Sequence, residues 1–310
     1  MNPVLKTSSM CGCMLIGICA NAQETVTGRE YFESRGVDFD NVELTVETVS
    51  PGLHVLSGAG GNVAVSIGDQ GVLIVDDKFP TVVPKIEDTI SRLGGGNIDF
   101  VINTHWHFDH TSGNPVLSQN GSWIVSHVNS RRMMTDSQLV NIVRVVVDQP
   151  PSPPEGLAVI TFRDRMQFHF NGEQIDLLHF GPAHTTGDTA IVFRGHNVVH
   201  MGDVFSARRY PFIDADNGGE LDGIILFCES VLREIEEDTI VIPGHGPVGD
   251  YASLKEYVSM LKIIRDRIAN LIADGATLDQ VIAAKPSAEW DEARGDPIRL
   301  LDRAYISLSE

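Results

Sequence analysis

The amino-acid sequence predicts an α/β protein with its sheets inside and its helices outside. The chain has 310 residues, of which 42% are hydrophobic, and its mean hydropathy is close to zero. Beyond residue 23 it has no repeat, low-complexity tract or long linker, and short β-rich runs alternate with amphipathic helical runs. This alternation is typical of layered α/β folds. The length is sufficient for one large domain or two smaller ones with a sizeable core.

The first half of the chain predicts a β-β-α-β unit. Two short apolar strands are separated by a Gly-Asp-Gln-Gly turn, and a helix follows, with Thr81 as its N-cap and three glycines at 94–96 as its end. The predicted elements are strands at 63–67, 72–75 and 100–103 and a helix at 81–93.

The second half predicts a further set of strands flanked by helices. The apolar residues of the last long helix recur at helical spacing along one stripe. The proline-rich segment at 150–154 is the predicted divide between the two halves. The predicted elements are strands at 122–126, 166–170, 174–179, 189–193, 197–201 and 240–242 and helices at 221–235 and 251–273.

The charge balance restricts the class of partner. Lysine and arginine total 23 and aspartate and glutamate total 42, which gives a formal net charge of −19. Proteins that bind nucleic acid neutralise phosphates with a basic face, so this composition argues against a nucleic-acid partner. We therefore expect a small-molecule substrate. The sequence does not indicate the oligomeric state.

The first 22 residues have the layout of a secretory signal peptide. Lys6 precedes an apolar run at 10–20, and Ala20-Asn21-Ala22 places small residues directly before Gln23. The apolar run is too short for a helix that spans a bilayer, which needs about 20 residues. We expect cleavage after Ala22 and a periplasmic or secreted protein without a membrane span.

A lipid anchor on Cys19 is the alternative to simple cleavage. The residue before a lipid-modified cysteine is normally small, and here it is Ile18, which favours cleavage. Cleavage after Ala22 removes every cysteine except Cys228, so the mature chain cannot form an internal disulfide. A secreted chain without disulfides has to be held together by its core or by metal ions.

Candidate metal ligands concentrate in residues 105–110 (His-Trp-His-Phe-Asp-His), directly after a predicted strand. His105 and His107 are two residues apart, so on an extended segment they project the same way and can bind one metal ion. Asp109 and His110 follow a turn, where the backbone direction has changed, and can bind a second ion. Three imidazoles and a carboxylate this close together predict two adjacent metals.

The pattern His-x-His-x-Asp-His resembles the metallo-β-lactamase-fold superfamily. That family continues with a distal histidine, a bridging carboxylate and a final histidine, each at a strand end. His184 in Gly-Pro-Ala-His, Asp203 in Met-Gly-Asp and His245 in Pro-Gly-His-Gly match these positions in order. Asp76, after the strand at 72–75, matches the first family motif. Five motifs in the expected order make the resemblance specific.

The resemblance implies the layer order and the domain limits. The expected fold is a four-layer αβ/βα sandwich in which two mixed sheets pack face to face, with the site at one edge between them. The family-like domain is expected over residues 48–250. A signal peptide at 1–22, an N-terminal extension at 23–47 and a C-terminal helical segment at 251–310 that packs on the domain complete the predicted organisation.

With the resemblance, the donor chemistry implies two metal sites. Nitrogen and oxygen donors without a thiolate suit zinc, although iron and manganese stay open. We expect two Zn²⁺ ions, with Asp109 and Asp203 as the catalytic carboxylates and no organic cofactor. One ion is expected to be bound by the three imidazoles of His105, His107 and His184. The other is expected to be bound by Asp109, His110 and His245. The Asp203 carboxylate is expected to bridge both ions.

Such a dinuclear site implies a hydrolase. The metals lower the pKa of a shared water toward about 7, and the metal-bound hydroxide attacks an ester, thioester, lactone or amide-like bond. The alternative class is an iron-dependent oxidoreductase that resembles the sulfur dioxygenases of the same fold. Arg208, Arg209 and Tyr210 follow Asp203 where a loop can meet the substrate. The two arginines either hold an anionic group or are ordinary surface cations.

The remaining polar candidates are given supporting roles. Asp76 is expected to orient the metal-binding loop, and Thr185 and Asp188 to shape the turn around His184 through hydrogen bonds. Cys228 is expected to be a packed thiol. The histidines without ligand spacing are expected to be structural or surface residues, although two of them, His179 and His200, could support a ligand: His54, His127, His169, His179, His196 and His200.

Overall fold

The computed structural model describes residues 23–309, so the predicted signal peptide at 1–22 lies outside the described residues. Within this range the strands are β1 (Glu24–Thr27), β2 (Thr45–Ser50), β3 (Leu53–Ser57), β4 (Val63–Gly68), β5 (Gly71–Val75), β6 (Ile98–Ile102), β7 (Trp123–His127), β8 (Gln138–Asn141), β9 (Val145–Gln149), β10 (Ile160–Phe162), β11 (Arg165–Phe170), β12 (Glu173–Leu178), β13 (Ala190–Phe193), β14 (Val198–His200), β15 (Ile240–Ile242) and β16 (Gly249–Asp250). The helices are α1 (Gly28–Glu33), α2 (Val83–Arg92), α3 (Phe108–Thr111), α4 (Asn114–Gln119), α5 (Val128–Met133), α6 (Leu221–Leu232), α7 (Tyr251–Ala273), α8 (Leu278–Ala284), α9 (Asp291–Arg294) and α10 (Ile298–Ser309).

Two mixed sheets form the centre of the molecule. The first has seven strands in the order β10-β7-β6-β5-β4-β3-β2, antiparallel from β2 to β5 and parallel from β5 to β10. The second has six strands in chain order from β11 to β16, and its β14–β15 pair is parallel. A small third sheet pairs β1 with β9 and β9 with β8, which ties the N-terminal strand to a segment far along the chain.

The two large sheets pack face to face, because alternate residues of their strands are apolar and buried. Leu73 and Val75 of β5 meet Leu177 of β12 and Ile191 of β13 in the core between the sheets. On its outer face the first sheet packs against α2 through Ile74 and residues of that helix, and the second packs against α6, α7 and α10. The order is helix, sheet, sheet, helix, so the predicted four-layer sandwich is confirmed.

Helix α7 shows how sequence sets an element and its packing. Its N-cap Asp250 accepts a hydrogen bond from the Ser253 amide at 2.8 Å, and the Ser253 hydroxyl lies 2.9 Å from the Asp250 amide, so the two residues form a capping box. Its bounds are those predicted from apolar spacing. The stripe that the helix buries includes Leu254, Tyr257, Leu261, Ile264 and Ile268.

Two local predictions were wrong. Helix α2 begins at Val83 with Val82 as its N-cap, and Thr81 does not cap it. Pro84 occupies the first turn, where an amide has no intrahelical partner, and the proline therefore sets the start.

The second wrong prediction is the divide at the prolines of 150–154. These prolines do not separate the two sheets, since β10 follows them and still pairs with β7 of the first sheet.

Several elements were not predicted from the sequence. The structure adds β1, α1, β2 and β3 before residue 63, and β8 and β9 within the first half. Strand β2 has mostly exposed side chains, so it carries no alternating apolar pattern that could reveal it. Within residues 23–309, no helix combines the length and the apolar character needed to cross a bilayer.

Candidate metal centre

The candidate ligands lie at the carboxyl ends of strands that meet at one edge of the sandwich. Asp76 follows β5, and the 105–110 segment follows the parallel neighbour β6. In the second sheet β12, β14 and β15 run in one direction, so His184, Asp203 and His245 come after strand ends on the same edge. The two sheets therefore bring distant parts of the chain to one place.

The 105–110 segment changes direction within a few residues. His107 is the N-cap of the short helix α3, with extended backbone angles, and Asp109 and His110 lie inside that helix. His105 lies beside both neighbours of the segment, with its ring centroid 4.8 Å from that of His107 and 4.2 Å from that of His110. The Thr111 hydroxyl donates to the His107 carbonyl at 3.0 Å and supports the turn.

The seven predicted ligands lie together. Within each of three overlapping groups, the possible ligand atoms lie within 4.8 Å of one another. The Asp203 carboxylate lies between the predicted sites, with its oxygens 3.3 Å from His110 Nε2, 3.4 Å from His245 Nε2 and 3.8 Å from His184 Nε2. The groups are His105, His107 and His184; His105, His110 and Asp203; and Asp109, His110 and His245.

The nitrogens that face the centre of this cluster fit a cation. His107 Nδ1 lies 3.0 Å from His184 Nε2, and His110 Nε2 lies 3.2 Å from His245 Nε2. The buried His105 Nε2 has no hydrogen-bond partner among the described residues. Lone pairs this close repel unless a positive charge lies between them, and an orphaned buried nitrogen carries a desolvation penalty. The residues present therefore fit divalent metal ions.

The outer nitrogens of three imidazoles are each held by an oxygen. His110 Nδ1 lies 2.7 Å from Asp76, His107 Nε2 lies 2.9 Å from Asp214, and His184 Nδ1 lies 2.8 Å from the Phe212 carbonyl. Carboxylates and carbonyls only accept, so each of these outer nitrogens donates a proton, and the inner nitrogen of each ring is the one that can ligate a metal ion. Oxygen partners of this kind orient metal-binding histidines in proteins.

Asp76 and Thr104 connect the first sheet to the ligand loop. Asp76 accepts from the Thr104 amide at 2.7 Å and from the Thr104 hydroxyl at 2.8 Å, and that hydroxyl lies 2.9 Å from His105 Nδ1. The Asp76 backbone has a φ of 63°, a left-handed conformation that is unusual for a residue other than glycine. The contacts of Asp76 agree with the orienting role expected for it.

Asn62 and Gly244 fix the loop that carries His245. The Asn62 side-chain amide donates to the carbonyls of Pro243 and Gly246, both at 2.9 Å. A Cβ atom at Gly244 would lie 1.9 Å from an Asp203 carboxylate oxygen, so only glycine permits this close approach. Neither Asn62 nor Asp214 was identified from the sequence, because each acts from a loop whose position depends on the tertiary fold.

Burial and charge set the protonation of the site. Burial, with the nearby His107 ring, lowers the pKa of His184 to about 4, and burial holds the pKa of His105 well below its usual value. Burial acts to raise the pKa of Asp203, but the charges of His245 and His110 outweigh it and hold that pKa well below its usual range. Asp109 and Asp203 outweigh burial at two other rings: they raise the pKa of His245 to about 9 and hold the pKa of His110 well above its usual value, so metal binding at these rings displaces a proton.

The other polar candidates lie outside the cluster of ligand atoms. Asp188 accepts from the Thr185 amide at 2.7 Å and from its hydroxyl at 2.9 Å, which shapes the turn after His184, and burial raises the pKa of Asp188 to about 8. Cys228 is fully buried on α6, and burial raises the pKa of its thiol.

The six remaining histidines have other partners. His200 is buried and accepts from the Gly202 amide at 3.1 Å, which supports the turn before Asp203, and His179 stacks on His127 with the ring centroids 3.8 Å apart. His54, His169 and His196 hydrogen-bond polar side chains away from the candidate metal centre.

Comparisons with known proteins agree with this geometry. The family model of the metallo-β-lactamase superfamily matches residues 57–275. A probable metallo-hydrolase of Methanocaldococcus jannaschii is 25% identical over 197 residues, which are 62% of this chain and 91% of that protein. The crystal structure of the DIM-1 metallo-β-lactamase has a TM-score of 0.58 at 20% identity and covers 72% of this chain and 99% of its own.

A further solved structure is similar over more of the chain. The sec-alkylsulfatase Pisa1 from Pseudomonas sp. has a TM-score of 0.65 at 14% identity, and the match covers 86% of this chain and 50% of the sulfatase chain. At such identities the structural similarity establishes the fold alone. It does not transfer a substrate.

The four-layer fold and the histidine and aspartate cluster at its edge define a hydrolase that binds divalent metal. The chain belongs to the metallo-β-lactamase superfamily, because the family match spans more than half of its length. At the level of the superfamily it is a metallo-hydrolase. The family predicted from the motifs is therefore confirmed.

The oxygen partners of the imidazoles generate the first test. Replacement of Asp214 by asparagine removes the negative charge that orients His107, while the size and shape of the side chain stay the same. We expect metal affinity to fall by about 10- to 100-fold, as for other outer partners of metal-binding histidines. Titration with a competing chelator measures this affinity. The matched control is Asp69→Asn on the exposed turn after β4, and equal affinities for the two variants would contradict the orienting role of Asp214.

Proposed function

We propose that this chain hydrolyses a small molecule with two divalent metal ions held side by side. The observation that supports this most directly is the position of Asp203, whose carboxylate lies within 4 Å of imidazole nitrogens from both predicted sites. The first ion would be held by His105, His107 and His184, and the second by Asp109, His110 and His245. Asp203 would contact both.

The side chains prepare the site for a water and a substrate. Metal ions at these positions supply Lewis acidity and lower the pKa of a bound water. Asp214, Asp76 and the Phe212 carbonyl hold the rings in one tautomer, so the donors need no rearrangement when the substrate binds. His245 is the most exposed of the ligands, with 38% of its side chain accessible, and lies on the open side of the site.

A cavity of about 490 Å³ opens onto the candidate metal centre. Asp109, Asp203 and His245 form part of its wall, and aromatic rings form another part. This volume is within the range for small-molecule sites, which are mostly apolar with a few placed polar groups. The cavity supports a substrate with an apolar portion and an ester, thioester, lactone or amide-like bond.

The donor set favours zinc. Imidazole and carboxylate donors without a thiolate are typical of zinc hydrolases, and they also accept iron and manganese. Metal analysis of the purified protein decides the identity. Iron together with substrate-dependent oxygen uptake would indicate the oxidoreductase alternative.

The central experiment on function is Asp203→Asn. We expect kcat/KM on the best substrate from a panel of lactones, thioesters, aryl esters and β-lactams to fall by at least about two orders of magnitude, because a bridging charge is lost. Metal content should fall from about two ions per chain toward one. Elemental analysis and steady-state kinetics measure both, with Asp69→Asn as the control. Full metal content with normal turnover would contradict the bridging role.

We also propose that the chain is exported and that the mature protein begins at Gln23. The support is the arrangement of Lys6, the apolar run at 10–20 and Ala20-Asn21-Ala22. We expect the intact mass of protein from the periplasm or medium to lack residues 1–22. A cytosolic protein that keeps its N-terminus would rule out cleavage, and a lipid-modified Cys19 would establish the anchored form.

A further inference from the structure

Four arginines that line the cavity lack the partners that most arginines of this chain have. Most of the other arginines pair with carboxylates, as Arg265 does with Asp222 at 2.7 Å. Within residues 23–309, the guanidinium groups of the four form no hydrogen bond and no ion pair, and two of them lie over aromatic rings. Three of the four are exposed and Arg299 is partly buried, so what distinguishes them is that they line one cavity in a chain with a net charge of −19. The four residues are Arg35, Arg208, Arg209 and Arg299.

Three separate elements bring these charges together. Arg35 follows α1, Arg208 and Arg209 lie on the loop after Asp203, and Arg299 belongs to α10. Burial lowers the pKa of Arg299, and the positive charges of Arg35 and Arg209 lower it further, although Tyr31 and Asp203 oppose them. Like charges that converge without a counter-ion are unfavourable, so the arrangement favours an anion between them.

An aromatic ring separates this arginine cluster from the metal centre. The Arg299 guanidinium lies 5.5 Å from the centroid of the Phe212 ring, and that ring lies 6.1 Å from the His107 ring and 5.7 Å from the His184 ring. Asp203 and the four arginines line the same cavity, so a substrate bound there can contact the metal centre and the arginine cluster together.

Two of the arginines lie outside the part of the chain that matches the family. The match covers residues 57–275, whereas Arg35 precedes it and Arg299 follows it. The matched segment therefore does not account for these two arginines, although the loop that carries Arg208 and Arg209 lies within it.

We propose that Arg35, Arg209 and Arg299 form a subsite for a carboxylate at the end of the substrate remote from the bond that is hydrolysed. The proposal rests on the proposed function, since it names the substrate class of the same site. Planar guanidinium groups bind carboxylates through paired hydrogen bonds. The Phe212 ring would contact the apolar spacer between that carboxylate and the reacting bond. The substrate class is an ester or a lactone that carries a free carboxylate remote from the bond to be hydrolysed.

A matched pair of esters tests the subsite. The 4-nitrophenyl monoester of glutaric acid and the 4-nitrophenyl ester of pentanoic acid have acyl chains of the same length and differ in the terminal carboxylate. We expect metal-loaded wild type to prefer the anionic ester in kcat/KM by roughly tenfold or more, the range for hydrogen bonds to charged groups. In Arg299→Gln and Arg35→Gln we expect this preference to fall toward one, mainly through KM.

Arg29→Gln is the control, because Arg29 lies on α1 near Arg35 but pairs with Glu33 at 2.7 Å on the surface. It makes the same charge change outside the cavity and should keep the preference of the wild type. Equal losses on both esters in the Arg299 and Arg35 variants would overturn the proposal, since the arginines would then act on the fold or the metals. An unchanged preference in those variants would overturn it as well.

A binding measurement separates this proposal from the proposed function. Calorimetry on the metal-loaded protein compares 4-phenylbutyrate with the neutral 4-phenylbutan-1-ol. We expect the carboxylate to bind more tightly by about tenfold and Arg299→Gln to remove the difference. This result would support the subsite even if neither ester is hydrolysed. In that case the proposed ester hydrolysis would fail, and the carboxylate subsite would stand. The subsite proposal would be overturned if the wild type showed no preference for the carboxylate. It would also be overturned if the preference persisted in Arg299→Gln, because the metal ions would then be binding the carboxylate.

Discussion

The structure of the site depends on the repulsion between imidazole lone pairs that converge on one point. His107 and His184 present bare nitrogens to each other at 3.0 Å because Asp214 and the Phe212 carbonyl hold their protons on the other side. A proton between the two nitrogens or a metal ion bound by both removes this repulsion, and the unpartnered His105 Nε2 beside them favours the metal ion. The strand ends of both sheets supply the ligands, so metal binding and the packing of the sandwich are coupled.

A second constraint holds the loops that support this cluster. Asp76 and Lys78 both have left-handed backbone angles, which cost about 1 kcal/mol or more for residues other than glycine. The fully buried Lys78 ammonium donates to the Gly61 carbonyl, and burial lowers its pKa to about 7, although Asp109 and Asp76 oppose this change. A Cβ atom at Gly61 would meet the His110 ring at 2.2 Å, so the loop must approach closely. These contacts hold the loop at Gly61 against the His110 ring.

The sequence singled out the residues of the candidate metal centre more completely than the residues that support them. The candidate ligands follow strand ends within short motifs, so local pattern and family resemblance pointed to His105, His184 and His245. Asp214 and Asn62 act across long sequence separations, and no spacing relates them to the residues that they hold. Likewise, the long helix α7 was predicted to the residue, whereas the exposed strand β2 was missed because its side chains carry no apolar alternation. Arg35 and Arg299 gained significance only when the fold placed them at one cavity.

Anomalous diffraction from crystals of the metal-loaded protein tests the central claim most directly. The geometry predicts two metal peaks per chain with the Asp203 carboxylate between them. The first peak is expected among His105, His107 and His184, and the second among Asp109, His110 and His245. A single peak, or peaks that leave the facing nitrogens of His107 and His184 without a metal, would contradict the claim that two ions hold this cluster together.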